Sequence, residues 1–481
     1  MSADWPRVQI SEVCELIVDC VNKTAPRVDH KTPYKMIRTP NIKNGRVDRT
    51  DCRFVEEDTY DKWTRRAKVL RGDVLLTREA PMGQIGYVDF DDTVFLGQRI
   101  MQYRANTEVL DSEYLLYAFL SSDLQHQFHM HEGSGSVVSH IRVPDCLKFE
   151  IYLPPLSVQK QIAKVLRDLD KKIELNRQTN QTLEHIAQAL FKCWFVDFEP
   201  TRAKIIAKEK GANTAIQELA AQAIICGAIT LEQLEAMTEN LETTLQQAIN
   251  EKLSQANQTP INTEQLKTTA ALFPNELVDS ELGEIPEGWE VNPMGNYLEI
   301  KRGGSPRPIK EYIVEDGLPW TKIADATKEP SPFLFRTKEY IKEEGLKKTV
   351  LLKKGSLILS NSATPGLPKF LELDACIHDG WLHFPKKQLF SDLYLYQLFL
   401  KIRKELVAQG NGSVFTNLKT DILKSKVVVA PNQMVISKFD ETISLAFNKL
   451  KENCKETNTL VEIRDALLPK LLSGELSVSS D

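Results

Sequence analysis

Residues 157–193 carry a stripe at alternating steps of four and three: Ile162, Leu166, Leu169, Ile173, Asn176, Asn180, Leu183, Ala187 and Leu190, apolar except for two asparagines. Adding 277 to each gives Phe439, Ile443, Ala446, Leu450, Asn453, Thr457, Leu460, Arg464 and Leu467, with the polar break in the same place. Neither 157–193 nor 434–472 contains a glycine, and Pro469 is the only proline in either. Heptad spacing without helix breakers predicts two long helices that pair, rods of roughly 55 Å at about 1.5 Å per residue. If the rods run antiparallel, Asn176 and Asn453 meet near the middle, a polar layer that costs stability and fixes register. The same asparagines facing solvent would do neither.

Repetition extends beyond the rods. Gly72-Asp73-Val74-Leu75-Leu76-Thr77 returns as Gly355-Ser356-Leu357-Ile358-Leu359-Ser360, and Ala80 and Gly83 align with Ala363 and Gly366, all at an offset of 283. Gly135-Ser136-Val137 matches Gly412-Ser413-Val414 at 277, a drift that loop-length differences explain. Upstream, 37–42 and 320–325 open corresponding strands. Each half therefore runs as short strands, a Tyr-Leu-rich helix near Tyr114 or Tyr394, a strand, a proline and a rod. The expected fold is α+β: two similar mixed domains, 1–154 and 281–431, joined by two long coiled-coil helices, 155–199 and 432–476, that can run antiparallel, with a pseudo-twofold repeat. Between the halves lies an Ala-, Gln- and Leu-rich insertion, 200–280, with helices expected at about 213–224, 230–254 and 262–271, and 477–481 is a short tail.

A length of 481 residues suits several domains, and a formal net charge of −5 argues against a protein that coats nucleic acid non-specifically. Residues 23–78 nevertheless carry a basic surplus of seven and 301–354 a surplus of five, in the same part of the repeat. The start lacks a basic segment followed by an apolar run, and no stretch is apolar enough to cross a membrane, which reads as a cytoplasmic protein. Eight scattered cysteines without a C-x-x-C pair argue against zinc and suggest buried thiols; His126, His129 and His131 read as surface residues rather than a metal site. No P-loop, dinucleotide fingerprint or nucleophile elbow occurs. No catalytic residue, metal or cofactor is expected on this chain.

The basic stretches suit DNA. Lysine and arginine neutralise phosphate, while arginine, asparagine and glutamine make paired hydrogen bonds to guanine and adenine edges. The candidates are Arg38, Asn41, Lys43, Arg65, Arg66, Arg78 and Gln98 in the first half, and Arg302, Ser305, Arg307, Lys322, Lys347, Lys348 and Asn361 in the second. The halves differ outside their shared frame, so the site they read should be asymmetric and bipartite. A stand-alone architectural DNA binder, or a coiled-coil scaffold with basic solubility patches, remains open on the same residues.

Four segments carry a resemblance: 154–162 (PPLSVQKQI), 189–200 (ALFKCWFVDFEP), 285–289 (IPEGW) and 467–476 (LLPKLLSGEL). In this order they resemble the specificity subunit of type I restriction-modification systems. That resemblance implies a non-catalytic subunit with two target-recognition domains. It also implies two modification subunits, which carry the S-adenosylmethionine chemistry, and two ATP-dependent restriction subunits as partners. The rods, with Ile162, Leu169, Ile173, Asn176, Leu183, Leu190, Phe439, Ile443, Leu450, Asn453, Leu460 and Leu467, and the aromatic step Trp194-Phe195, would then be helix and partner interface. Pro431-Asn432-Gln433 departs from the first half's Pro154-Pro155-Leu156.

Overall fold

The repeat seen in the residues returns in the backbone of a computed structural model, which describes residues 5–130, 140–238, 240–255, 263–328, 331–409 and 417–478. Gly72 and Gly355 adopt φ of 95° and 90°, Ala80 and Ala363 54° and 57°, and Gly83 and Gly366 79° and 73°. The two alanines sit in a left-handed conformation that costs a side-chain-bearing residue energy, so each hairpin loop is held by more than its own preference. Thr77 Oγ1 donates to Pro81 O at 2.6 Å and accepts from Gln84 N at 2.9 Å, while Ser360 Oγ donates to Thr364 O at 2.5 Å and accepts from Leu367 N at 2.8 Å. One hydroxyl closes each loop in the same way. The segments 135–137 and 412–414, matched in the sequence, lie outside the described residues, as does His131.

Contacts divide the chain into two units whose boundaries cross both rods: residues 1–176 with 455–481, and residues 177–454. In the first unit the buried strand Val74–Thr77 lies between Ile100–Ala105 and Ile85–Tyr87, with Cys14–Asp19 on the outer edge of Ile100–Ala105, all antiparallel. A smaller sheet pairs Lys35–Ile37 with Arg53–Phe54 and, in parallel, with Val94–Leu96. Arg7–Gln9 pairs with Glu150–Tyr152 and so brings the start of the domain to the foot of the first rod. The second unit keeps the plan and enlarges it. Leu357–Ser360 lies between Trp381–Lys387 and Pro368–Leu371, and Leu318–Thr321 runs parallel to Ala375–Ile377. Glu290–Pro293 pairs with Val427–Ala430 as its counterpart does.

The rods are the single helices Leu156–Phe195 and Gln433–Leu472, each of 40 residues. All eighteen stripe positions are buried or half-buried. In the first unit Asp170 pairs with Arg464 at 2.9 Å and Lys172 with Glu456 at 3.2 Å; in the second Asn180 pairs with Asn453 at 2.9 Å and Trp194 meets Phe439 at 5.9 Å. Numbers rise on one helix as they fall on the other, so the pair is antiparallel within each unit. The asparagine layer differs from the sequence pairing of Asn176 with Asn453. Asn176 Nδ2 donates to Glu456 at 2.8 Å, and Asn453 Nδ2 donates to Asn180 Oδ1. Heptad spacing defines a face and leaves the axial phase free, and here the charged partners settle it one turn away. Arg464, an apparent gap in the second stripe, is filled by its ion pair and by Tyr117, whose hydroxyl also donates to Asp170 at 2.8 Å.

Among the described residues, five helices build the insertion: Glu199–Glu209, Thr214–Ile225, Leu231–Ala236, Leu241–Gln255 and Thr263–Ala270. The first was not expected from the sequence, although Pro200 stands in its first turn, where proline is tolerated. The expected 230–254 helix breaks where Met237 is extended and Asn240 has φ 51°. Lys204, 2% exposed, ties the group together by donating to Glu218 at 2.6 Å and to Phe273 O at 2.7 Å.

Candidate nucleic-acid interface

Four main-chain hydrogen bonds gather five chain segments at one end of each domain. In the first unit Gly97 N donates to Ile37 O (2.7 Å), Arg78 N to Arg99 O (2.8 Å), Cys20 N to Ile100 O (3.1 Å) and Ile141 N to Arg78 O (2.9 Å). In the second unit His378 N donates to Thr321 O (3.3 Å), Asn361 N to Gly380 O (2.8 Å), Gly303 N to Trp381 O (2.9 Å) and Leu418 N to Asn361 O (2.7 Å). The same lattice of bonds makes Arg38 the counterpart of Lys322, Arg78 of Asn361 and Gln98 of Asp379. Equivalent backbone positions thus present different polar groups.

Asp379 organises the second cluster, and its role is not visible in the sequence. Its carboxylate accepts from Ser305 Oγ at 2.7 Å and pairs with Arg307 at 3.5 Å; its main-chain oxygen accepts from Arg302 Nε at 2.5 Å and Asn361 Nδ2 at 3.1 Å. Burial alone would raise this carboxyl, but the Ser305 hydroxyl and the neighbouring His378, Arg302 and Arg307 hold it below the ordinary range. Burial in turn lowers His378, which favours its neutral ring. Gln98, at the counterpart position, faces main-chain amides instead. With its amide oxygen toward the main chain, Gln98 accepts from Thr24 N at 3.1 Å and Lys23 N at 3.2 Å.

The remaining candidates divide by what already holds them. Asn41, 4% exposed, accepts from Arg38 N at 2.9 Å and donates to Asp51 O at 3.2 Å, so it shapes its loop from within. Asn361 is likewise buried, and its Oδ1 has no hydrogen-bond partner among the described residues. Arg78 spends one terminal nitrogen on Ile141 O at 3.1 Å. Arg38 pairs with Asp51 at 3.1 Å, Lys322 with Glu339 at 2.5 Å, and Arg66 with Asp19. Lys322 also lies 5.2 Å from the ring centre of buried Trp320, and Lys348 meets the Tyr312 hydroxyl at 2.9 Å. Arg65 is exposed and holds only Lys62 O, at 3.1 Å, among the described residues. Lys43 and Lys347 are exposed with no side-chain partner among the described residues. An exposed ion pair is worth about 0–1 kcal/mol, so the exposed Arg66 can exchange its carboxylate for phosphate at small cost, while the half-buried Arg38 and Lys322 are held more firmly.

Trp194 and Phe195 do not form an exposed surface. They are 0% and 6% exposed and pack on Phe273 (5.3 Å), Phe439 (5.9 and 5.1 Å), Trp289 (6.0 Å) and Tyr394 (5.0 Å). The aromatic step is the keystone of the second unit's core because the insertion and the second domain close over it. Among the described residues, no group of three or more His, Cys, Asp or Glu could hold a metal ion, and no helix is long and apolar enough to cross a membrane.

The family comparison also falls on the two halves of the chain. The profile described as type I restriction modification DNA specificity domain matches residues 2–185 and 286–457. The chain belongs to this family. A type I restriction enzyme HindI specificity subunit from Haemophilus influenzae is 29% identical over 433 residues, covering 85% of this chain and 87% of that one. The MjaIX specificity subunit from Methanocaldococcus jannaschii is 26% identical over 417 residues, covering 85% and 78%. In fold, this member of the specificity family is similar to the crystal structure of a type I restriction-modification S subunit from M. genitalium, with a TM-score of 0.53 at 14% identity over 98% of this chain and 96% of that one.

Proposed function

We propose that the chain is the non-catalytic DNA-reading subunit of a type I restriction-modification complex, each domain recognising one half of an asymmetric bipartite site. The observation that carries this reading is the conserved backbone frame with unlike side chains at Arg38/Lys322, Arg78/Asn361 and Gln98/Asp379. One binding geometry with two sets of donors and acceptors reads two different sequences. Lys43, Arg65, Arg307, Lys347 and Lys348 neutralise phosphate, and the net charge of −5 leaves much of the DNA grip to partners.

Those partners are two modification subunits, which bind S-adenosylmethionine and transfer the methyl group, and two ATP-dependent restriction subunits, all in the cytoplasm. The rods support two equivalent docking positions. Ile186 in the second unit and Ile463 in the first, related by the 277 offset, are 54% and 42% exposed, the same apolar position of the repeat in each. Sequencing of methylated bases in cells with and without the gene, partner genes intact, tests the proposal. Modified adenine at one bipartite motif should depend on the gene; an unchanged methylation pattern refutes it.

A further inference from the structure

Each rod sends a stripe of side chains toward its own recognition domain, and the 277 offset places the two stripes in register. On the first helix Arg167 pairs with Glu113 at 2.6 Å, Asp170 accepts from Tyr117, and Glu174 pairs with Arg46. The corresponding positions on the second helix are Ser444, Phe447 and Lys451. Phe447 packs on Tyr396 at 5.6 Å and Phe370 at 6.2 Å, and Lys451 pairs with Glu372 at 3.5 Å while lying 5.9 Å from the Phe333 ring centre. At the last position of the stripe the charges are inverted: the rod supplies the anion in one unit and the cation in the other.

These contacts join each domain to its own helix. The side chain of Glu372 is 3% exposed, and Lys451 and Lys354, at 3.5 and 3.6 Å, offset its charge there. Sliding either domain along its rod would pull a half-buried charge away from its counter-ion, while the apolar packing beside it could adjust with less loss. The opposite signs also prevent one seat from accepting the other domain, since Glu372 would face Glu174 and Arg46 would face Lys451.

We propose that Arg46 with Glu174, and Glu372 with Lys451, are positioning residues that fix the seat of each recognition domain on its helix and thereby the spacer length the protein accepts between its half-sites. This rests on the DNA-reading function proposed above. The experiment uses the full chain, coexpressed with its modification subunit, on a plasmid library in which the two half-sites flank spacers of graded length. Wild type should modify one spacer. Lys451→Met should raise modification of the neighbouring spacers at least tenfold relative to the preferred one, and Lys451→Arg, which keeps the cation opposite Glu372, should retain the single spacer. Glu174→Gln, and Glu174→Arg with Arg46→Glu, repeat the test in the other unit, so a folding failure in one leaves the second to decide. A folded single variant that keeps one sharp spacer, whether or not overall modification falls, overturns the inference. Absence of any bipartite modification by wild type refutes the DNA-reading function instead.

Discussion

Raising the pH from about 5 to 8 should weaken the second unit through two carboxyls held where the rods meet its domain. Glu184 on the first rod is pushed from 4.5 up to about 7 by burial, which nearby Lys369 only partly counters. Asp440 on the second rod is pushed from 3.8 up to about 6, mainly by burial and despite the Ser391 hydroxyl that donates to it at 2.8 Å. Both shifts favour the protonated form in the folded chain. Between about pH 4 and 7 the folded state therefore holds protons that the unfolded state has released, and stability falls as pH rises through the folded values. One pKa unit corresponds to about 1.4 kcal/mol, which makes each carboxyl worth up to about 3 kcal/mol across that window, less whatever solvent reaches it. Four of the six tryptophans, Trp194, Trp289, Trp320 and Trp381, lie in this unit, so tryptophan fluorescence during urea unfolding reports on it. Wild type should lose stability between pH 5 and 8 relative to Glu184→Gln with Asp440→Asn, whose curve should be flatter. A difference between the two proteins that stays constant with pH would refute the reasoning.

Three further outcomes can be measured. Asn453→Leu alone leaves Asn180 without its donor and should cost about 1–3 kcal/mol, whereas Asn180→Leu with Asn453→Leu should recover most of it; additive losses in a double-mutant cycle of urea unfolding would count against the layer. Trp194→Ala, at a side chain with no exposed surface, should cost about 3–5 kcal/mol and lower the melting temperature of the second unit in calorimetry. Lys43→Ala and Lys347→Ala should each reduce the salt dependence of DNA binding by about one phosphate's worth without changing the preferred sequence; a changed sequence preference would make them base readers.

Local patterns carried much of the fold into the sequence, and long-range partners carried most of what escaped it. The offsets of 283 and 277 and the unbroken heptads announce two related domains and two long helices, because hydroxyl-closed loops and helix faces are written in neighbouring residues. The register of the asparagines was hidden, since Glu456, the partner of Asn176, lies 280 residues away. Trp194 and Phe195 look like surface anchors until Phe273 and Trp289 arrive from other segments to cover them. Among the DNA candidates the basic side chains were legible, but the carboxylates opposite them were not. Asp379, 74 residues from Ser305, turns scattered polar residues into one cluster. Residue type marks a basic patch, while only the fold separates Lys43, which is free to meet phosphate, from Asn41, which is committed to its loop.

The ion pair between Asp170 and Arg464 makes the two rods choose each other. Its counterparts under the repeat, Phe447 and Ala187, are both buried in the apolar core of the second unit. Two copies of the first helix, set together in the same register, would place Asp170 beside Ala187; two copies of the second would place Arg464 beside Phe447. Either pairing strands a charge that the chain's own arrangement neutralises. A sequence composed of near-duplicates has in this way become a lock and its key. A half borrowed from a relative would complete the molecule only if it brought the matching residue at this one layer.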